Sequence, residues 1–493
     1  MNAHRDVALP RWTRLDTLAV ALVTVVAAAL RLLSLNRPTG LIFDEIFYAQ
    51  DACWYVAGSE AVCGISDLVS RAHPPLGKWL IGSGIAVFGY QPFGWRIAVA
   101  VAGIATVALL HVLAWRLLRR VMGGTALSVG ATAASGLLAL DFLHLVQSRT
   151  AMLDSLIVLF VVGAVTAIVL DRDRSPRQDA RGWERAALGR PWRLAAGVCL
   201  GAATAVKWSG AYVAPAVIGL VVAWAILDRR RADPEAGWGT AIRRAFRREA
   251  LPTALLLGLV PVLVYAASYA GRMPGTPVGL PWESGTVWRG IWDHQRAMLD
   301  FHTTLGGDHP YQSPPWSWPL LKRPVAFWFD AGGDYREILA MGNPVAWWPG
   351  LVALLAMGVT WARSGWNWLR PELVILAGAA ATYLPWLVLS GDRSQTFIWY
   401  FLPTVPFLCL ALGLVAALAW SRTAGRVALG LATGAVLGSF LLFVPLLTAL
   451  PLTPDEWQTR MLFRDCERPG SPTLVLPDDT ISEGPPPAGW CWI

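Results

Sequence analysis

Residues 41–56 read LIFDEIFYAQDACWYV, and after a polar connection residues 73–78 read HPPLGK. Two adjacent acids, Asp44 and Glu45, stand directly behind an apolar segment of membrane length, 15–35. A carboxylate near membrane depth is costly, and acids placed there usually serve a function. The rest of the chain sharpens the contrast. Its 493 residues are 55% hydrophobic and 15% charged, whereas soluble chains carry roughly a quarter charged residues. Repeated apolar runs of about twenty residues mark an all-α polytopic membrane protein. The run 15–35 is too long for a signal peptide and lacks a small-residue cleavage site, so it is expected to stay as the first span.

Arginine sets the orientation. Arg5, Arg11 and Arg14 precede the first span and place the N-terminus in the cytoplasm. The formal charge of +8, from Lys+Arg 41 against Asp+Glu 33, reads as topogenic rather than nucleic-acid binding. Asp44 and Glu45 then face out. The apolar piece 79–89 is too short to cross and is expected to lie in the interface. Counting it as a span would put Arg116, Arg119 and Arg120 outside. Further spans are expected at 93–118, 125–146, 152–170, 251–269, 345–361, 373–389, 397–420 and 427–450. Two short ones within 194–227, with Lys207 near their outer turn, bring the total to about eleven.

The chain then divides into a membrane domain, 1–450, and an outer tail, 451–493. The large outer loops are 36–92 and 271–343. Cys53, Cys63, Cys466 and Cys491 fall outside. Both free thiols and the pairs Cys53–Cys63 and Cys466–Cys491 stay open there. The six cysteines show no metal-ligand spacing.

If 44–56 is helical, Asp44, Tyr48, Asp51 and Tyr55 share a face. Asp44 then reads either as an N-cap or as a carboxylate turned to an outer cavity, able to take a hydroxyl proton. His73-Pro74-Pro75 sets an extended entry to the next helix. Lys78 reads either as a phosphate contact beside His73 or as a side chain snorkelling to headgroups. Arg149 and Asp154 stand at the outer ends of two spans, where a plain ion pair is the bland alternative to a site. Lys207 and Arg393 are further outer cations, of the kind needed to hold an anionic leaving group. In HPYQSPPWSWPLL, residues 309–321, the tryptophans suit an interfacial belt or a platform for sugar rings and extended peptides.

Asp44-Glu45, HPPLGK, Ser148-Arg149 with Met152-Leu153-Asp154, HPYQSPPWSWPLL and Tyr400-Phe401-Leu402-Pro403 occur in this order. The chain so resembles the protein O-mannosyltransferase family, in its bacterial, actinobacterial-type form. That family lies within the C-type superfamily of polyprenyl-phosphate-dependent glycosyltransferases. The resemblance implies the C-type fold, with interfacial helices in the first outer loop. It also implies transfer of one mannose, with inversion, from polyprenyl-phosphate-mannose to Ser or Thr hydroxyls of exported proteins at the outer face of the cell membrane. By the same resemblance Asp44 is the base and Glu45 positions acceptor or sugar. Arg149, His73, Lys78 and Arg393 hold the donor phosphate, supported by Asp154 and Lys207. His309, Tyr311, Trp316 and Trp318 shape the acceptor site. The implied partners are the lipid donor, the secreted acceptors, the bilayer and the secretion translocon, with no nucleic acid. A divalent metal stays open.

Eukaryotic members carry a β-trefoil-type insert in the large outer loop, for which 271–343 is too short. A related transferase acting on a lipid or polysaccharide should lack the PYQSPPWSWP loop. A transporter or flippase commonly shows repeat halves and broken midplane helices, whereas these charges sit at the outer ends of spans.

Overall fold

A computed structural model describes residues 9–174, 189–270, 287–305, 309, 311–330, 332–368, 370–390 and 395–461. Arg393, Cys466 and Cys491 lie outside the described residues. Among those described, nine helices are long and apolar enough to cross a bilayer: Arg14–Leu32, Pro92–Leu118, Leu153–Asp173, Trp208–Ala232, Pro234–Ala267, Pro344–Arg363, Pro371–Leu389, Ile398–Trp420 and Thr423–Thr448. A helix satisfies every backbone group internally, which is what a hydrocarbon environment demands. Two 16-residue helices, Gly124–Ala139 and Pro191–Val206, stand where the other two spans were expected. The 13-residue helix Leu76–Phe88 is about 20 Å long, short of the roughly 30 Å hydrocarbon core.

Leu153–Asp173 and Ile398–Trp420 are the most buried spans and form the centre, whereas Pro234–Ala267 and Thr423–Thr448 lie at the rim. Close helix crossings need small residues where no hydrophobic driving force separates helix from lipid. Gly130, on Gly124–Ala139, packs on the Val405–Trp420 helix so tightly that a Cβ there would sit 2.7 Å from the Gly413 carbonyl oxygen. Gly77 of HPPLGK does the same at the start of the central span. A Cβ on it would meet the Leu153 side chain at 2.5 Å, which holds the Leu76–Phe88 helix against the central span.

The chain is not wholly helical. Val325–Asp330 (β1) and Arg336–Ala340 (β2) form an antiparallel hairpin within 271–343, with a bulge between Ala326 and Trp328. The tail folds back on it. Tyr335 bridges to Leu452, and buried Trp457 donates its indole N–H to Glu337 Oε2 at 2.6 Å. Cys53 and Cys63 are joined in a disulfide.

Candidate active site

The site is built around the start of the Glu45–Ala57 helix. Phe43, the residue before Asp44, has φ 49°, a left-handed conformation uncommon for an aromatic residue. Its ring is held from two sides: Phe327 of β1 stacks on it at 4.2 Å, and Trp399 meets it edge-on at 5.1 Å. The strained turn aims the next two side chains apart. Asp44 makes no side-chain cap hydrogen bond. It accepts one long hydrogen bond, from the Tyr48 hydroxyl at 3.3 Å, four residues on. Half-buried, its carboxyl is pushed up to about 6 by burial; Lys207 and the Tyr48 bond pull it down, and Asp154 pushes it further up.

Lys207 occupies an extended break between Pro191–Val206 and the turn Trp208–Val213. Its Nζ lies 3.2 Å from both oxygens of Asp154 and 4.3 Å from the centre of the Tyr400 ring. Asp154, in the first turn of its span, therefore pairs with Lys207, not with Arg149. His73 is buried, with ring centroids 5.9 Å from Tyr48 and 5.4 Å from His302. Asp44, Tyr48, His73, Asp154, Lys207 and Tyr400 thus come together.

Over this group runs a second set of residues that sequence reasoning passed over. Trp208 donates to the Tyr265 hydroxyl at 3.0 Å, and Tyr265 donates to Gln295 Oε1 at 2.5 Å. Gln295 donates in turn to Tyr269 at 2.8 Å. His294 and His302 lie 3.0 and 2.9 Å from the Arg71 and Ala72 carbonyl oxygens. These contacts tie the Val287–Thr304 helix onto the approach to HPPLGK. The signal was present: His294, Met298 and His302 recur every four residues on one helical face.

Several expected site residues have other employment. Glu45 is fully buried, and Arg96 grips it through Nε at 2.7 Å and Nη2 at 2.8 Å. The backbone N–H groups of Ala151 and Ile42 donate to it at 2.9 and 3.1 Å. With its lone pairs so committed, Glu45 ties its loop to the Pro92–Leu118 helix and to the turn at Ala151. Lys78 is equally enclosed. It pairs with Asp51 Oδ2 at 2.7 Å and donates to the Ser70 carbonyl, and Asp51 accepts from Val69 N at 2.6 Å. This internal clamp engages the ammonium that the sequence offered as a phosphate or headgroup contact.

Arg149 gives Nη1 to the carbonyls of Leu30, Leu33 and Arg31 at 2.7, 2.8 and 3.3 Å, and Nη2 to Ser34 at 3.3 Å. It caps the C-terminal end of the first span, where orphan carbonyls attract cations. In the aromatic loop, Trp318 is 1% exposed and donates to the Ser313 carbonyl at 3.1 Å. Its ring packs on Trp386 and Tyr400. Tyr311 is also buried. Trp316, 56% exposed, carries Lys322 over its ring. His309 is half-buried against Phe397 at 4.9 Å. Of the four expected acceptor residues, Trp316 and His309 keep an open surface. Among the described residues no three of His, Cys, Asp and Glu come together as a metal-ligand set.

The family model for dolichyl-phosphate-mannose-protein mannosyltransferase matches residues 21–270, and the model for the C-terminal four-transmembrane region of protein-O-mannosyltransferase matches 287–466. The chain belongs to the protein O-mannosyltransferase family. The polyprenol-phosphate-mannose–protein mannosyltransferase of Mycobacterium tuberculosis is 32% identical, over 89% of this chain and 90% of its own length. That of Corynebacterium glutamicum is 30% identical over 92% and 94%. The fold matches the Saccharomyces cerevisiae Pmt1–Pmt2 complex bound to the sugar donor, with TM-score 0.72, 15% identity, and 92% and 93% of the two chains covered. It also matches ArnT of Cupriavidus metallidurans bound to undecaprenyl phosphate, with TM-score 0.52, 18% identity and coverage of 87% and 64%. This family member is a multi-pass membrane glycosyltransferase with the C-type fold.

Proposed function

We propose that this enzyme transfers one mannose from polyprenyl-phosphate-mannose to a Ser or Thr hydroxyl of an exported protein, with Asp44 as general base. The observation carrying the reading is the division between the adjacent acids. Glu45 is saturated by Arg96 and two backbone donors, while Asp44 keeps a half-buried carboxyl raised to about 6 and uncommitted to a cap. A base poised near the working pH is the more effective proton acceptor.

The step is a single inverting displacement. The acceptor oxygen forms its bond to the anomeric carbon as its proton passes to the Asp44 carboxylate. The bond from the anomeric carbon to the phosphate oxygen breaks, and its electron pair leaves with the phosphate. Lys207, held by Asp154 and Tyr400, is the described cation nearest this chemistry and takes the developing phosphate charge. His73 and Arg393 complete the donor side. Trp316 and His309 face the acceptor polypeptide. The basic turns support a cytoplasmic N-terminus and an outer-face site in the cell membrane, where acceptors arrive from the secretion translocon.

Purified protein given polyprenyl-phosphate-mannose and a Thr/Pro-rich peptide tests the reading. Mannosylated peptide is expected; mannose delivered only to a lipid or polysaccharide acceptor would refute it.

A further inference from the structure

Two spans begin at the proposed site and end at a second cluster. The Pro92–Leu118 helix carries Arg96 against Glu45 near its start and Arg116 at its end, with Arg119 and Arg120 following. The central span carries Asp154 near its start and Arg172 near its end. At 1.5 Å per residue, Arg96 to Arg120 covers about 36 Å and Asp154 to Arg172 about 27 Å. This is the thickness of a hydrocarbon core, so the second cluster lies at the opposite membrane surface.

A narrow recess of about 10 Å³, room for about one water molecule, lies there between the ends of four spans. Leu117, Val169 and Val374 line it, with Arg120, Arg172 and Arg370 also in its wall. Trp224 and Trp368 form the remaining wall, joined by a hydrogen bond from the Trp224 indole to the Trp368 carbonyl at 3.1 Å. Only part of the neighbouring charge is compensated. Arg116, Arg119 and Arg120 share Asp173, and Arg370 pairs with Glu372.

Arg172 differs. Its guanidinium stacks on the Trp224 ring at 4.1 Å. Asp228 and Asp173 act on it only through their fields, opposed by Arg120 and Arg231. Among the described residues no acceptor takes its N–H donors. Counting these groups, six arginines (116, 119, 120, 172, 231 and 370) face three acids (173, 228 and 372), a surplus of three positive charges. A planar guanidinium with unused donors fits phosphate oxygens, and Trp368, 39% exposed in the recess wall, is the kind of side chain that sits at the headgroup level.

We propose that the surface at the mouth of this recess binds the phosphate headgroup of an anionic lipid in the leaflet opposite the active site, with Arg172 as its principal contact. The position at the membrane surface and the exposed Trp368 favour a lipid over a free anion.

The test uses native mass spectrometry of the full chain, moved from nanodiscs containing phosphatidylglycerol into phosphatidylcholine nanodiscs. Wild-type protein is expected to retain one phosphatidylglycerol. Arg172→Gln should lower retention about tenfold, the loss of one charge-assisted contact, and Arg172→Lys should restore part of it. Inorganic phosphate at 10 mM, an experimental choice, should not displace the lipid. Equal retention by wild type and Arg172→Gln, equal retention of phosphatidylcholine, or displacement by inorganic phosphate would each overturn the proposal. If Arg172→Gln does not fold, Arg370→Gln at the rim must show the loss, and wild-type retention there would overturn it equally.

Discussion

Asp44→Asn separates the two properties that burial gives this carboxyl. The side chain keeps its size and can still accept from Tyr48, but it no longer takes a proton. Transfer should fall by roughly 10²–10⁴. Stability should move the other way. An unfolded Asp ionises around 3.8, whereas folded Asp44 ionises around 6. Below about pH 4 both states are protonated and the group contributes no difference. Between about pH 4 and 6 the folded state takes on a penalty of about 3 kcal/mol, which screening at a half-buried position reduces to about 1–2 kcal/mol. Asn carries no such penalty. Asp44→Asn should therefore unfold at higher temperature than wild type at pH 7.5, and at about the same temperature at pH 4. The assay pairs mannosyl transfer to peptide with thermal unfolding in detergent at the two pH values. A variant that keeps more than about a tenth of the wild-type rate would refute Asp44 as base. A variant less stable at pH 7.5 would falsify the account of its raised pKa.

The neighbouring residues give sharper contrasts. Glu45→Gln weakens a buried ion pair and should destabilise the protein by about 3–5 kcal/mol, read as a lowered unfolding temperature whether or not substrate is present. Lys207→Met removes the cation that lowers the Asp44 pKa, so the acid limb of the pH–rate profile should move to higher pH; an unmoved limb would break the link between the two. Arg149→Ala leaves the end of the first span uncapped and should cost about 1–3 kcal/mol of stability, with the donor KM of the folded enzyme unchanged. Trp318→Ala should cost about 3–5 kcal/mol. Trp316→Ala should change stability by less than about 0.5 kcal/mol and alter rates with some peptides but not others.

How far the sequence could be read depended on the range of the interaction. The acid pair behind the first span, the short Leu76–Phe88 helix and the break at Lys207 were legible because periodicity, length and charge are local. Partner choice was not. Arg149 and Asp154 look like neighbours in sequence, yet Asp154 takes Lys207, 53 residues away, and Arg149 caps a helix 115–119 residues earlier. Lys78 reads as an open cation until the fold brings Asp51 to it. The short apolar, aromatic run VAFWFD, residues 325–330, carried a strand signal that the surrounding helical pattern obscured. Its Phe327 is what fixes the turn before Asp44. Trp318 and Trp316 are two residues apart and chemically identical, so only the packing shows which is core.

The most direct measurement follows a single atom. Purified enzyme is given polyprenyl-phosphate-mannose labelled with ¹³C at the anomeric carbon, together with a Thr-rich peptide, and the product is read by NMR. The expected result is label on the threonine side-chain oxygen, with configuration opposite to the donor's and an initial rate that rises as pH passes through about 6. Retained configuration, or a rate independent of pH across that range, would contradict a single displacement with Asp44 as its base.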